Sequence, residues 1–188
     1  MNDIRVSSIQ CFDQCRHVEL SSALKEIAVE QEQALARQKG MGNPSTKPLN
    51  ARRDYLGSLA QNCILDYFQS RGMDGGLEMT PYFDPMRSKD EFDFRYRGST
   101  YDVKSKPVGK FKSVNGRTTY LVSNHQKNKR VDNYCFISID TEEDLAHIAG
   151  VISFDEFWDK STEPHGDWVK SPCHMIEAKY LRGIEEIV

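Results

Sequence analysis

The sequence predicts a mixed α/β domain, a central mixed β-sheet flanked by helices, on three observations. Apolar residues recur at four-residue steps over about 50–71, five short β-rich runs follow between 77 and 139, and 188 residues suit one compact domain. A helix followed by consecutive strands, a connector and a further strand belongs to α/β or α+β architectures. Apolar residues at 38% and charged residues at 28% exclude collagen-like, low-complexity and wholly disordered chains.

Residues 18–39 are expected to form a helix with Leu20, Leu24, Ile27 and Leu35 on one stripe, capping the domain or pairing with a second copy. GMGNPSTKPLN, 40–50, is a loop by composition. The helix over 50–71 is the firmest element, since Tyr55, Leu56, Leu59, Ala60, Cys63, Ile64, Tyr67 and Phe68 share one face. Strands are expected at 77–83, 91–97, 99–105, 118–123 and 133–139, and GVISFDEFW, 150–158, leads from a strand into a helix. SPCHMIEAKYL is ambiguous between helix and strand. The expected organisation is an N-terminal helical extension and loop (1–49), a core (50–140) and an acidic C-terminal extension packed on it (141–188).

Five cysteines, at 11, 15, 63, 135 and 173, form no disulfide framework, and Cys63 and Cys135 sit in apolar runs as small hydrophobes. A reducing, cytoplasmic setting is expected, with no signal peptide or membrane span. Cys11, Cys15 and His17 with Cys173 and His174 make a poor zinc pattern. Trp158 and Trp168 are expected to pack rather than to stack on bases.

The chemistry concentrates in EFDFRYRGSTYDVKSK. Gly98-Ser99 as a two-residue type II′ loop would place Arg97 opposite Thr100, Tyr96 opposite Tyr101, Arg95 opposite Asp102, Phe94 opposite Val103 and Asp93 opposite Lys104. Phe92, Phe94, Tyr96, Tyr101 and Val103 then share the core face, and Asp93, Arg95, Asp102 and Lys104 the polar one. Asp93 and Asp102 become diagonal neighbours ~7–8 Å apart, able to converge on a hard cation, with Lys104 beside them. The same register also permits a purely structural reading, because Asp93–Lys104 and Arg95–Asp102 are opposite-charge pairs across the strands.

This arrangement resembles the PD-(D/E)XK, or restriction-endonuclease-like, nucleases, whose signature is an acid on one strand and (D/E)-x-K on the next. Asp93 takes the first acid and Asp102-Val103-Lys104 the tripeptide. The family's order of helix, three strands, helix and strand is matched over roughly 50–140 by the helix 50–71, the strands 77–83, 91–97 and 99–105, a polar connector around 123–131 and the strand 133–139. Glu177-Ala178-Lys179 is a second acid-x-Lys, but it lies too near the end of this sequence for the downstream elements. The resemblance implies a restriction-endonuclease-like core and a nuclease, most often a DNA endonuclease, using Mg²⁺ or Mn²⁺ held by Asp93 and Asp102. Lys104 would position and activate the attacking water. Where many members place a Glu on the first helix, this chain has Gln61, a weaker ligand and a helper from that helix. Gln126 or Lys127 would supply the polar residue that many members carry in the connector.

A net charge of −3 argues at first against a nucleic-acid partner, but residues 87–130 hold 12 Lys and Arg against 4 Asp and Glu. Lys106, Lys110, Lys112, Arg117, Lys127, Lys129 and Arg130 are the candidate phosphate contacts, and Asn124 and Gln126 are candidates for base edges. A homodimer would serve for cutting both strands. The rival classes are an inactive nucleic-acid-binding module of the same fold and an interaction protein dimerising through its N-terminal helix.

Overall fold

The computed structural model describes residues 14–38, 48–80, 92–108, 114–129, 131–164 and 171–187, without the side chains of 35–38 and 48–52. In chain order the elements are β1 (Arg16–Glu19), α1 (Ser22–Gln38), α2 (Pro48–Gln69), β2 (Leu77–Met79), β3 (Phe94–Tyr96) and β4 (Ser99–Pro107). There follow β5 (Thr119–Ser123), β6 (Asn133–Asp140), β7 (Leu145–Ser153), α3 (Phe154–Lys160) and β8 (Cys173–Glu177). Six strands form one mixed sheet in the order β1-β7-β6-β4-β3-β2, and β5 and β8 pair separately. Only β4 and β6 run parallel; every other neighbouring pair is antiparallel.

α2 forms where the apolar period predicts it. Leu56, Leu59, Ala60, Cys63, Ile64, Tyr67 and Phe68 are buried against Phe94, Tyr96, Tyr101, Cys135, Ile137 and Ile148 of the sheet. Each fully buried side chain of this size contributes ~1.5–3 kcal/mol. Beyond its last turn Gly72 takes φ +63, and the Met73 N–H closes back onto the Phe68 carbonyl at 2.9 Å. A residue with a Cβ resists that left-handed geometry, so the helix stops there.

The opposite face of the sheet carries a second core. Tyr134, Phe136, Ala149 and Ile152 pack there with Tyr120 and Val122 of β5, Ile176 of β8 and Phe157 of α3. Covered on both faces, β6 therefore reads NYCFISI in the sequence, almost continuously apolar instead of alternating.

Several expectations are corrected. The helix expected from residue 18 begins at Ser22, because Arg16–Glu19 are recruited as an edge strand on β7, a partner some 130 positions away that local periodicity cannot reveal. Leu24 and Ala28 pack inward on that helix, but Ile27 remains 43% exposed, and the side chain of Leu35 lies outside the described residues. β5 does not join the main sheet. The ambiguous C-terminal segment is a strand, Cys173–Glu177, followed by a 3-10 turn at Ala178–Tyr180. β7 lies between β6 and β1, so residues after 140 complete the sheet.

Cys63 and Cys135 are buried thiols, each pushed upward by its burial. Trp158 packs edge-on to Phe157 and His174, whereas Cys11 and Trp168 fall outside the described residues. No helix among the described residues is long and apolar enough to cross a membrane.

Candidate active site

The site is built on the β3–β4 hairpin, whose turn differs from the expected one. Arg97 and Gly98 are the loop residues, at φ +48 and +88, and Tyr96 faces Ser99, Arg95 faces Thr100 and Phe94 faces Tyr101. Two successive left-handed residues mark a type I′ turn, which matches strand twist as the type II′ turn does. The packing accounts for the choice. This register stacks Phe94 on Tyr101 at 4.6 Å with rings 2° from parallel, beneath Phe68 of α2.

The register differs from the expected one by two positions in pairing, so Phe94, Tyr96 and Tyr101 still face the core while the polar partners change. Asp93 sits at a bend one residue before β3, donating its N–H to the Tyr101 carbonyl at 2.8 Å. Continued past Phe94, the register brings Asp93 level with Asp102 rather than diagonal to it. The bend also carries Phe92 away from the expected face into the second core, beneath the Arg95 guanidinium. Arg95 pairs with Glu78 of β2 at 3.3 Å, and the cross-strand pairs Arg95–Asp102 and Asp93–Lys104 are not formed.

Gln61, Asp93, Asp102 and Lys104 instead gather as two adjoining groups, Asp93 with Gln61 and Asp102 with its lysines, brought level by the hairpin register. Gln61, buried on α2, donates from Nε2 to Asp93 Oδ1 at 2.7 Å. The Val103 N–H donates to Asp93 Oδ2, also at 2.7 Å. Asp102, 2% exposed, takes an ion pair from Lys104 and another from Lys129 at 2.7 Å. Lys104 reaches Gln126 Oε1 at 3.5 Å, and its Nζ stands 5.8 Å above the Tyr134 ring.

The electrostatics separate the two acids. Burial, and then the charge of Asp102, push the Asp93 carboxyl up to about 6. Burial also raises Asp102, but Lys104 and Lys129 outweigh it and hold that carboxyl below its ordinary range. Two carboxylates whose surroundings drive them apart are a common feature of catalytic centres.

A pH dependence of stability follows. Because the folded state holds the Asp93 proton more tightly than the unfolded chain, its contribution is complete below the unfolded value and is lost as pH rises through about 6. Asp102 works the other way, its contribution being present above the unfolded value and lost in acid. Asp93→Asn is expected to be more stable than wild type at pH 8 by on the order of 1 kcal/mol, the relief of charge being partly offset because the amide nitrogen cannot accept one of the two N–H bonds that the carboxylate takes. The difference should vanish at pH 5 in urea denaturation. A variant equally destabilised at both pH values would show that Asp93 is not charge-strained.

The remaining candidates are dispersed. Lys106 donates to the Thr119 carbonyl at 3.0 Å and lies over Tyr120, tying β4 to β5, and burial lowers its basicity. Lys127 stands 5.6 Å over Trp158. Arg117 is exposed in a turn closed by Asn115, and Asn124 opens the 3-10 turn Asn124–Asn128 with its N–H on the Pro172 carbonyl. Of the two connector candidates, Gln126 rather than Lys127 reaches the cluster. Lys110, Lys112 and Arg130 lie outside the described residues.

Sequence reasoning placed Lys129 among surface phosphate contacts and missed its bond to Asp102, since no spacing rule connects residues 27 positions apart. His125, interspersed in the same basic segment with a base-edge role expected of it, is hydrogen-bonded to Ser123 and to Gln126 at the edge of the cluster.

No family model matches this chain, and comparison with curated proteins and with solved structures likewise found no match.

Proposed function

We propose that this protein is a divalent-metal-dependent nuclease with a restriction-endonuclease-like core, hydrolysing phosphodiester bonds, with DNA the favoured substrate. The observation that carries the reading is the convergence of Gln61 from α2, Asp93 from just before β3, and Asp102 and Lys104 from β4 into one polar site, with Asp93 bonded to Gln61 and Asp102 ion-paired to Lys104. The topology is in keeping with it, since α2 precedes an antiparallel β2-β3-β4 meander and β6 returns parallel to β4. β5 and a 3-10 turn occupy the crossover where the resembled family has a helix.

The donor set suits a hard cation. Among the described residues no group of three or more His, Cys, Asp or Glu comes together, but Mg²⁺ is commonly held by one or two carboxylates with substrate phosphates and water completing its shell. Asp93 and Asp102 would hold Mg²⁺ or Mn²⁺, which would supply Lewis acidity toward a phosphate oxygen.

The protein's own groups account for the rest of the reading. Gln61 and the Val103 N–H fix the Asp93 carboxylate from both sides, so neither oxygen must be reorganised when substrate arrives. Lys104, held between Asp102 and Gln126, would orient the attacking water and neutralise charge growing on the phosphate. The basic segment around the hairpin would hold the backbone through Arg117 and Lys127, giving binding that weakens with salt.

A second reading, a binding module without activity, draws on the neutral Gln61 and on the two ammonium groups already neutralising Asp102. One experiment separates them. Circular duplex and single-stranded DNA are incubated with the protein in Mg²⁺, Mn²⁺ or EDTA, with Asp102→Asn alongside to expose any contaminating nuclease. The nuclease reading expects cutting that needs metal and is lost in the variant. DNA retention without cutting selects the module, and equal cutting by both proteins overturns the site.

A further inference from the structure

Asp102 has two ammonium partners where the cluster's chemistry uses one. Lys104 stands two residues along the same strand, on the same face, and needs no further explanation. Lys129 arrives from beyond the 3-10 turn Asn124–Asn128, and its Nζ lies 2.7 Å from Asp102 Oδ1 with the side chain only 11% exposed. Burying an ammonium there incurs a desolvation cost that only a close anion offsets.

Among the described residues every carboxylate oxygen of the cluster has a close partner. Gln61 and the Val103 N–H donate to those of Asp93, Lys129 donates to Asp102 Oδ1, and the Lys104 ammonium rests against Asp102 Oδ2, which accepts no hydrogen bond. Two acids and two lysines are thus brought together among the described residues. A divalent cation using Asp102 must approach an oxygen against which an ammonium already rests, and the two positive charges repel strongly at such separations.

Resting on the nuclease reading, we propose that Lys129 is an internal counter-ion that occupies the cation position on Asp102 and must be displaced for the metal to bind. The site then regulates its own loading. With Lys129 in place the metal-free protein keeps Asp102 neutralised, and the metal must outcompete a tethered ligand whose effective concentration is high. Lys129 lies past the last residue of the 3-10 turn and in no strand or helix, so its side chain can swing outward without breaking strand or helix pairing.

The test measures metal affinity on the whole protein in the absence of nucleic acid, by Mn²⁺ titration with electron paramagnetic resonance counting the free ion. Lys129→Met, which retains length and apolar bulk but removes the charge, is expected to bind Mn²⁺ at least tenfold more tightly than wild type. Lys129→Gln, which still offers Asp102 a hydrogen bond, should show the same tightening and serves if the Met variant folds poorly. In EDTA both variants should melt below wild type, and saturating Mn²⁺ should raise their melting temperatures more than it raises that of wild type.

Mn²⁺ affinity in both variants equal to or weaker than in wild type overturns the counter-ion role and leaves the nuclease reading standing. No Mn²⁺ binding by wild type or by either variant overturns both together.

Discussion

Asp102→Asn is expected to lower DNA cleavage by about 10³-fold or more, as for the loss of a group that stabilises developing charge directly. The amide keeps one oxygen but loses the anion, and with it both the attraction for a divalent cation and the partner that holds Lys104 in place. The same change has a cost in stability. Lys104 and Lys129 are left facing a neutral group, and removing one partner of a buried pair costs about 3–5 kcal/mol when the other charge cannot escape. Both lysines are partly exposed and can turn toward water, and Asp93 is relieved of its like-charged neighbour, so a net loss of about 1–2 kcal/mol is expected. Chemical denaturation beside single-turnover cleavage checks both halves. A folded variant that retains most of its activity would remove Asp102 from the chemistry.

The second large effect is expected from Lys104→Ala, at about 10²-fold or more in cleavage. Here the metal site should survive, because Asp93, Asp102 and Gln61 are untouched, and Lys129 still neutralises Asp102 in the metal-free protein. Stability should change by less than about 1 kcal/mol, Lys104 being partly solvated beside a second cation. The informative outcome is the split between the two readouts: Mn²⁺ affinity close to wild type with cleavage nearly abolished. Loss of both would make Lys104 a support for Asp102, whereas retention of both would leave it without a function in the site. Lys104→Arg should rescue poorly, since a guanidinium spreads its charge over a planar fork and does not shed a proton.

Much of the fold was legible because burial imposes periodicity. α2 announces itself through its four-residue apolar steps, and β6 through an apolar run that needs cover on both faces. What the sequence hides is pairing between distant segments. β1 is only four residues long and exists because β7 offers it an edge, and β5 turns away from the main sheet because β8, fifty residues later, completes it.

The hairpin shows how a local rule can miss while the residues it singled out still come together. Gly98 signals a two-residue turn with either neighbour, and a left-handed Arg97 is not what composition suggests. Moving the loop by one residue changes every cross-strand partner but no face between Phe94 and Tyr101, so the three aromatic side chains still point to the core. Asp102 and Lys104, two apart on one strand, could not be separated by any register. Asp93 was singled out by its position in the chain, while its anchors, Gln61 and the Val103 N–H, depend on the packing of α2 against β4. Lys129 had no local signature at all, since its contact is created by the parallel return of the chain to β6.

The central claim is that Asp93 and Asp102 together present a divalent ion to a phosphodiester beside Lys104. Crystals grown with Mn²⁺ and a short phosphorothioate duplex, with data collected at the manganese edge, test it most directly. The account predicts an anomalous peak ligated by an oxygen from each carboxylate, with a backbone phosphate within reach of Lys104 Nζ. A peak elsewhere, or DNA bound with no metal between the two aspartates, would contradict it.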